Sequence, residues 1–168
     1  SKLHVILPCR PHDAVFLRRA LPSINESLND LFLRKSRIAD SAVVSVIFDG
    51  MVGSPEKVFE DIVPRPEVQL QWEIIKNGHG AAVARNFGLA LADPDDFVTF
   101  MDADDLVFPW CYWTRLNAWA GAQMDGITEP FVYTQCMHVF TDPATKKVLK
   151  TVRDVPVAQN IRGWLEQT

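Results

Sequence analysis

Short apolar runs alternate along the chain with stretches that repeat at helical spacing. The run "HVILP" (4–8) predicts a first buried strand, stopped by Pro8 and Pro11. In "AVFLRRALPSINESLNDLFLRK" (14–35), Phe16, Ala20, Ile24, Leu28 and Leu31 recur at three- and four-residue intervals and predict a helix. Pro22 either kinks that helix or opens a second one at its first position. "AVVSVIF" (42–48) predicts a second strand, ending at Asp49-Gly50. Ser54-Pro55 has the chemistry of a helix start, Ser as cap and Pro at N1, leading into "EKVFEDIV". "VQLQWEII" (68–75) alternates apolar and polar residues and predicts a third strand with one wetter face. After Asn77-Gly78-His79-Gly80, "AAVARNFGLALA" predicts a small-residue helix able to press closely on a sheet. "FVTFM" (97–101) is the fourth strand, and "PWCYWTRLNAWAGAQ" (109–123) reads as a helix opened by Pro109. "FVYTQCMHVF" and "KKVLKTVRDV" flank Asp142-Pro143-Ala144-Thr145 and predict a late hairpin.

Strand–helix alternation over the first 125 residues implies a mostly parallel sheet with helices on both faces. Ligands of such sheets gather beyond the carboxyl ends of the strands. Three strands end there in Pro8-Cys9-Arg10, Asp49-Gly50 and Asp102-Ala103-Asp104, so one rim would collect two sets of carboxylates and an arginine. The 168 residues fit one domain, 1–168, which can bury roughly 70% of its unfolded surface. A net charge of −4 argues against a nucleic-acid backbone as partner, since that needs a basic face. No apolar stretch approaches the roughly 18 residues of a membrane span, and no signal peptide is evident. Cys9, Cys111 and Cys136 form no CxxC pair, so a reducing, cytoplasmic setting with thiols as packing groups is expected.

The densest chemistry lies in "FVTFMDADDLVFP" (97–109), where Asp102, Asp104 and Asp105 crowd four positions. On an extended strand end, Asp102 and Asp104 would point the same way. Such acids repel, and one protonates unless a cation accompanies them. A hard divalent ion with oxygen ligands meets that demand, retaining waters and substrate phosphates as further ligands and absorbing charge as a diphosphate leaves. The alternative is an acidic turn in which Asp104 or Asp105 caps the next helix.

This stretch resembles the signature of the family 2 glycosyltransferases of GT-A fold, a strand followed by Asp-x-Asp-Asp and a Pro. "HVILPCRPHDAVFLRRALPSI" resembles their first strand and a helix with a Leu-x-x-Ala-Leu-x-Ser-Ile pattern. "VVSVIFDGM" resembles their second strand, and "IIKNGHGAAVARNFGLALA" their Asn-x-Gly-x-Ala-x-Ala-Arg-Asn-x-Gly segment. The four ordered motifs span roughly residues 4 to 140. The resemblance implies an α/β, GT-A type, Rossmann-like fold and an inverting transfer of sugar from a nucleoside diphosphate, commonly UDP, to an acceptor hydroxyl. It implies a carbohydrate or lipid-linked acceptor, and Mg2+ or Mn2+ as the ion. It also implies residue roles. Asp49 matches the acid that accepts a hydrogen bond from the base, Asp102 the acid near the ribose, and Asp104 the acid that touches the metal. Arg85 matches a basic residue near the phosphates, Pro8 lies where the first strand meets the base, and Ala103 belongs to the same donor-binding set. On residue chemistry alone Asp49-Gly50 also suits a plain turn, and Arg85 a solvated charge or a partner of Asp93. Gly78, Gly80 and Gly88 suit helix entry and tight packing, the favoured reading for Gly88.

The chain departs from the pattern in places. The family's Pro-x-Tyr-Asn is here Pro8-Cys9-Arg10-Pro11, which removes the ring beside the base and sets Arg10 within reach of a phosphate. Asp-Asp-Gly-Ser is here Phe48-Asp49-Gly50-Met51, one acid short. Inversion needs a general base to take the acceptor's proton. In the family that carboxylate lies downstream of Thr168, so the expectation is a donor-binding domain without its acceptor-binding segment. Asp125, Glu129 and Asp154 sit in no matching motif, and His138 reads as a packed or rim residue. Trp110 and Trp113, three apart, would share a helix face and pack in the core, the other use being to stack on sugar or on further segments. Two rival functions are a nucleotide-sugar-binding module without transfer and a metal-dependent phosphotransferase. The second is disfavoured because "HVILPCR" carries no acid.

Overall fold

The structure, a computed structural model, describes residues 1–35, 38–128, 130–132, 137–142, 144–145 and 147–153. They fall in two compact units, Ser1–Thr128 and Glu129–Thr168. The first unit is a parallel sheet of four strands, β1 (Lys2–Cys9), β2 (Ser41–Asp49), β3 (Val68–Ile75) and β4 (Phe97–Phe100), ordered β3-β2-β1-β4. Its helices are α1 (Leu17–Leu33), α2 (Ala81–Leu89) and α3 (Cys111–Met124). The arrangement is the parallel sheet that strand–helix alternation implied, and the Rossmann-like fold that the resemblance implied.

Burial explains the strand sequences. β1 and β2 are central and covered on both sides, so their residues are apolar almost without interruption. β3 is an edge strand, and Gln69, Gln71 and Glu73 form its wetter face. One face of the sheet carries Leu3, Val5, Leu7, Val44, Val46 and Phe48 against the stripe Leu17, Ala20, Leu21, Ile24, Leu28 and Leu31 of α1 and against Tyr112 and Leu116 of α3. Each Leu or Ile buried there contributes about 1.5–3 kcal/mol, so Leu28→Ala is expected to cost about 2–5 kcal/mol. The other face is a smaller cluster of Ile6 and Ile47 under Ala84 of α2. Gly88 permits that approach, because a Cβ on it would stand 2.4 Å from Ile6 Cγ2. Packing, then, is its function.

Local expectations fail in instructive ways. Pro22 opens no second helix, and the helix it lies in begins at Leu17 and not at Ala14. A 3-10 segment, Pro11–Phe16, leads into α1, and Pro22 falls inside α1 past its first turn, where its missing N–H costs one rung of the hydrogen-bond ladder. Ser54 makes no side-chain cap, and the helix expected after it is only a 3-10 segment, Pro55–Phe59. α3 begins at Cys111, so Trp110 is its N-cap residue and shares no helix face with Trp113. Trp113 packs against the core beneath the Arg34 guanidinium, 4.8 Å away, and Trp119 meets Phe97 edge to face at 4.7 Å. Trp110 is exposed and stacks on Phe108 at 5.2 Å.

In the second unit, β5 (Met137–Thr141) and β6 (Val148–Arg153) pair antiparallel, with a register shift between Phe140 and Thr141. Asp142 Oδ1 accepts the backbone N–H groups of Ala144 and Thr145 at 2.9 and 2.7 Å, the short polar turn that joins the strands. Those bonds, the Thr145 N–H first, hold its carboxyl below the usual range. His138 stands opposite Val152 in the ladder. Glu129, Cys136 and Asp154 lie outside the described residues.

Candidate functional site at the carboxyl rim of the sheet

The site begins with a missing donor. β1 pairs with β4 up to Ile6, whose carbonyl accepts the Met101 N–H at 3.0 Å. The next rung of a parallel ladder on that side would need an N–H from residue 8. Pro8 has none, so β4 leaves the sheet after Met101. Residues 102–105 form a tight turn closed by Asp105 N–H on Asp102 C=O at 3.1 Å. Asp102 and Asp104 therefore sit in a turn and not on an extended strand end, as their spacing had suggested. Ala103 is buried in the main core, which turns Asp102, Asp104 and Asp105 outward. Neither Asp104 nor Asp105 caps α3, whose start has no side-chain cap of its own.

Two serines of α1 pin the segment that leaves the turn. Ser23 Oγ accepts the Val107 N–H and Ser27 Oγ the Tyr112 N–H, each at 3.3 Å. Ser27 is fully buried within an apolar stripe. That was the signal available in the sequence, since a hydroxyl on a core face must find a partner.

Asp49, at the end of β2, is nearly buried and closes over the β3–α2 loop. Its Oδ1 accepts the His79 N–H and its Oδ2 the Gly80 N–H, both at 2.7 Å. Gly80 adopts φ +97°, a region that favours glycine, and a Cβ on Gly78 would meet the Asp49 carbonyl at 3.3 Å. Asp49 is thus more than a turn residue; it organises the entry to α2. One turn into that helix, Arg85 Nη2 donates to Asp102 Oδ1 at 2.5 Å. The arginine's partner is Asp102 and not Asp93, which instead faces Lys2 at the opposite rim. Arg10, just past β1, is exposed and donates to Asp13 Oδ2 at 2.8 Å. Cys9 beside it is buried, and that burial pushes its thiol up to about 12, so it is no nucleophile.

The structure thus brings Asp49, Arg85, Asp102 and Asp104 to one rim, with Pro8 and Arg10 on the neighbouring strand end. Asp104 has no hydrogen-bond or ion-pair partner among the described residues. Among those residues no group of three or more His, Cys, Asp or Glu converges, so a closed protein cage for a metal is absent there. Asp104, with the oxygen of Asp102 that Arg85 leaves free, suits a different kind of ion, one that takes one or two acids and completes its shell with water and phosphate.

The family model described as glycosyl transferase family 2 matches residues 67–154, just over half of the chain. The chain belongs to glycosyl transferase family 2. The match holds β3, α2 with Arg85, and the acidic turn; β1 and β2 lie before it. Among solved structures, S. aureus TarS 1-349 is similar at 20% identity and a TM-score of 0.52, over 75% of this chain and 33% of that one. The same S. aureus fragment in complex with UDP gives 20% and 0.52 over 75% and 32%, and S. aureus TarS gives 21% and 0.51 over 75% and 20%. At these identities the likeness shows the fold, which is that of glycosyltransferases. This family 2 chain spans a third or less of the length of those structures. No curated protein matches it. No helix among the described residues is long and apolar enough to cross a membrane.

Proposed function

We propose that this chain is the donor-binding part of an inverting glycosyltransferase that moves a sugar from a nucleoside diphosphate, UDP foremost, to an acceptor hydroxyl. The observation that carries the proposal is the rim itself. It gathers acids whose bonding capacity is only partly used beside a half-buried guanidinium. Buried or crowded acids are held only where something positive completes them. A nucleotide with a divalent ion supplies that complement, and the solved complex of the S. aureus fragment with UDP supports the choice of nucleotide.

In this reading Asp49 uses one lone pair of each oxygen on the loop and keeps the others for an N–H of the base. Pro8 lies beneath the base, and Asp102 and Ala103 line the ribose side, Ala103 through its backbone because its methyl is buried. Arg85 and Arg10 meet the phosphates, where a guanidinium fork matches paired oxygens. Asp104, with Asp102, would hold Mg2+ or Mn2+, which when bound stabilises the charge that collects on the departing diphosphate. The acceptor is a carbohydrate or a lipid-linked molecule, the general base is contributed outside the described rim, and the setting is cytoplasmic.

Calorimetry of UDP, GDP and dTDP with and without Mn2+, on the wild type and Asp104→Ala, tests the reading. One nucleotide is expected to bind only with the ion, and Asp104→Ala to abolish that dependence. Equal binding with and without Mn2+ overturns it. Donor hydrolysis and transfer assays on the same chain separate a transferase from a module that only holds the nucleotide.

A further inference from the structure

The Arg85–Asp102 bond joins α2 to the acidic turn across 17 positions, while Asp104 two residues on stays unpartnered among the described residues. A guanidinium on one of two neighbouring acids relieves their repulsion just as a divalent ion does. The two cations compete, because a guanidinium bonded at Oδ1 sets a second positive charge beside any ion on the same carboxylate. A diphosphate offers the same fork a stronger partner, with several charged oxygens.

We propose that Arg85 is an exchange residue: without nucleotide it is the counter-ion of Asp102 and holds the affinity for the divalent cation down. The arriving diphosphate draws the guanidinium away and frees Asp102 for the ion, so nucleotide and cation strengthen each other's binding. This rests on the reading of the rim as donor and cation site. The coupling is reciprocal by linkage, whichever ligand comes first. Its size depends on exposure. With side chains 36% and 52% exposed, the pair is a surface ion pair, and releasing it is expected to change cation affinity by roughly 1.5- to 5-fold.

The test titrates the chain with Mn2+ alone and with saturating UDP, reading heat by calorimetry and free ion by electron paramagnetic resonance. Wild type, Arg85→Gln, Arg85→Lys and Asp104→Ala are compared. Wild type is expected to bind Mn2+ about 100-fold more tightly with UDP present, the guanidinium's release being a small part of that and the diphosphate oxygens the rest. Arg85→Gln should bind Mn2+ alone roughly 1.5- to 5-fold more tightly than wild type and bind UDP more weakly, which shrinks the coupling from both ends. Arg85→Lys, charged but without the fork, should fall between. If Arg85→Gln binds Mn2+ alone no better than wild type while Asp104→Ala still abolishes ion-dependent binding, the exchange is wrong and the site stands. If Asp104→Ala behaves as wild type, the site reading fails and takes the exchange with it. Should Arg85→Gln not fold, Arg85→Lys decides alone, and unchanged Mn2+ affinity in it overturns the proposal.

Discussion

Two aspartates bracket the same short strand, and the molecule treats them oppositely. Asp96 precedes β4 and is almost fully covered; its Oδ1 accepts the Lys2 N–H at 2.7 Å, and its Oδ2 accepts the Asp93 N–H at 3.3 Å and lies 3.1 Å from His4 Nε2. Asp102 follows β4, is 52% exposed and has Arg85 as its one side-chain partner among the described residues. At the amino rim the acid is spent on the fold, tying the start of β4 to β1. At the carboxyl rim Asp102 and Asp104 keep lone pairs that no described residue fills. Acidity alone marks neither a site nor a staple; what separates them is how much bonding capacity the fold has already consumed.

That contrast can be broken by experiment. The largest effect is expected from Asp104→Ala, which should lower ion-dependent nucleotide affinity by about 100-fold, or about 2.7 kcal/mol. The melting temperature should stay put, because an exposed side chain without partners stabilises nothing. Asp96→Ala should do the reverse: about 2 kcal/mol of stability lost, since the Lys2 N–H and His4 lose their acceptor, with nucleotide affinity unchanged once folded. A denaturant midpoint and a titration on each variant suffice, and the contrast fails if either variant moves both readouts equally. Ser27→Ala should lie between them. Losing the acceptor for the Tyr112 N–H costs about 1 kcal/mol, and loosening the turn's exit should weaken nucleotide binding several-fold, whereas Ser27→Thr should restore it. The smallest effect concerns acid. The Lys2 N–H above all, with His4 and Asp93, holds the Asp96 carboxyl below its ordinary 3.8. A depressed value means its stabilisation is complete above that ordinary pKa and is lost as pH falls beneath it. Asp96→Asn should therefore lower stability modestly near neutrality and flatten its fall below about pH 4, so that the two profiles converge in acid, as chemical denaturation at several pH values would show.

Much of the fold was legible because its periods were clean. β1 and β2 read as buried strands from unbroken apolar runs, β3 from alternation, and α1 from its stripe. The misreadings all concern local chemistry overruled by surroundings. Ser54-Pro55 looked like a cap and first turn, yet the segment after it is too short to be more than a 3-10 turn. Trp110 and Trp113 looked like one face, yet the helix starts between them. The site was legible as composition, not as geometry: Asp49, Arg85, Asp102 and Asp104 could be named, while the Arg85–Asp102 bond and the Asp49 clamp on His79 and Gly80 could not. Those join residues distant in the chain, and no short-range pattern encodes them.

By itself the order of residues determined that a parallel sheet forms, that β2 stops at Asp49 and β4 just before Asp102, and that acids gather at that end, whereas β1 runs on through Pro8, its expected stop, to Cys9. Periodicity and the absent proline N–H are properties of the chain, so they survive without knowledge of neighbours. Only the packed molecule decided which acids are used up and which stay open. That depends on where α1, α2 and the strands carry their N–H, hydroxyl and guanidinium groups, and a carboxylate's partners are set by distance in space.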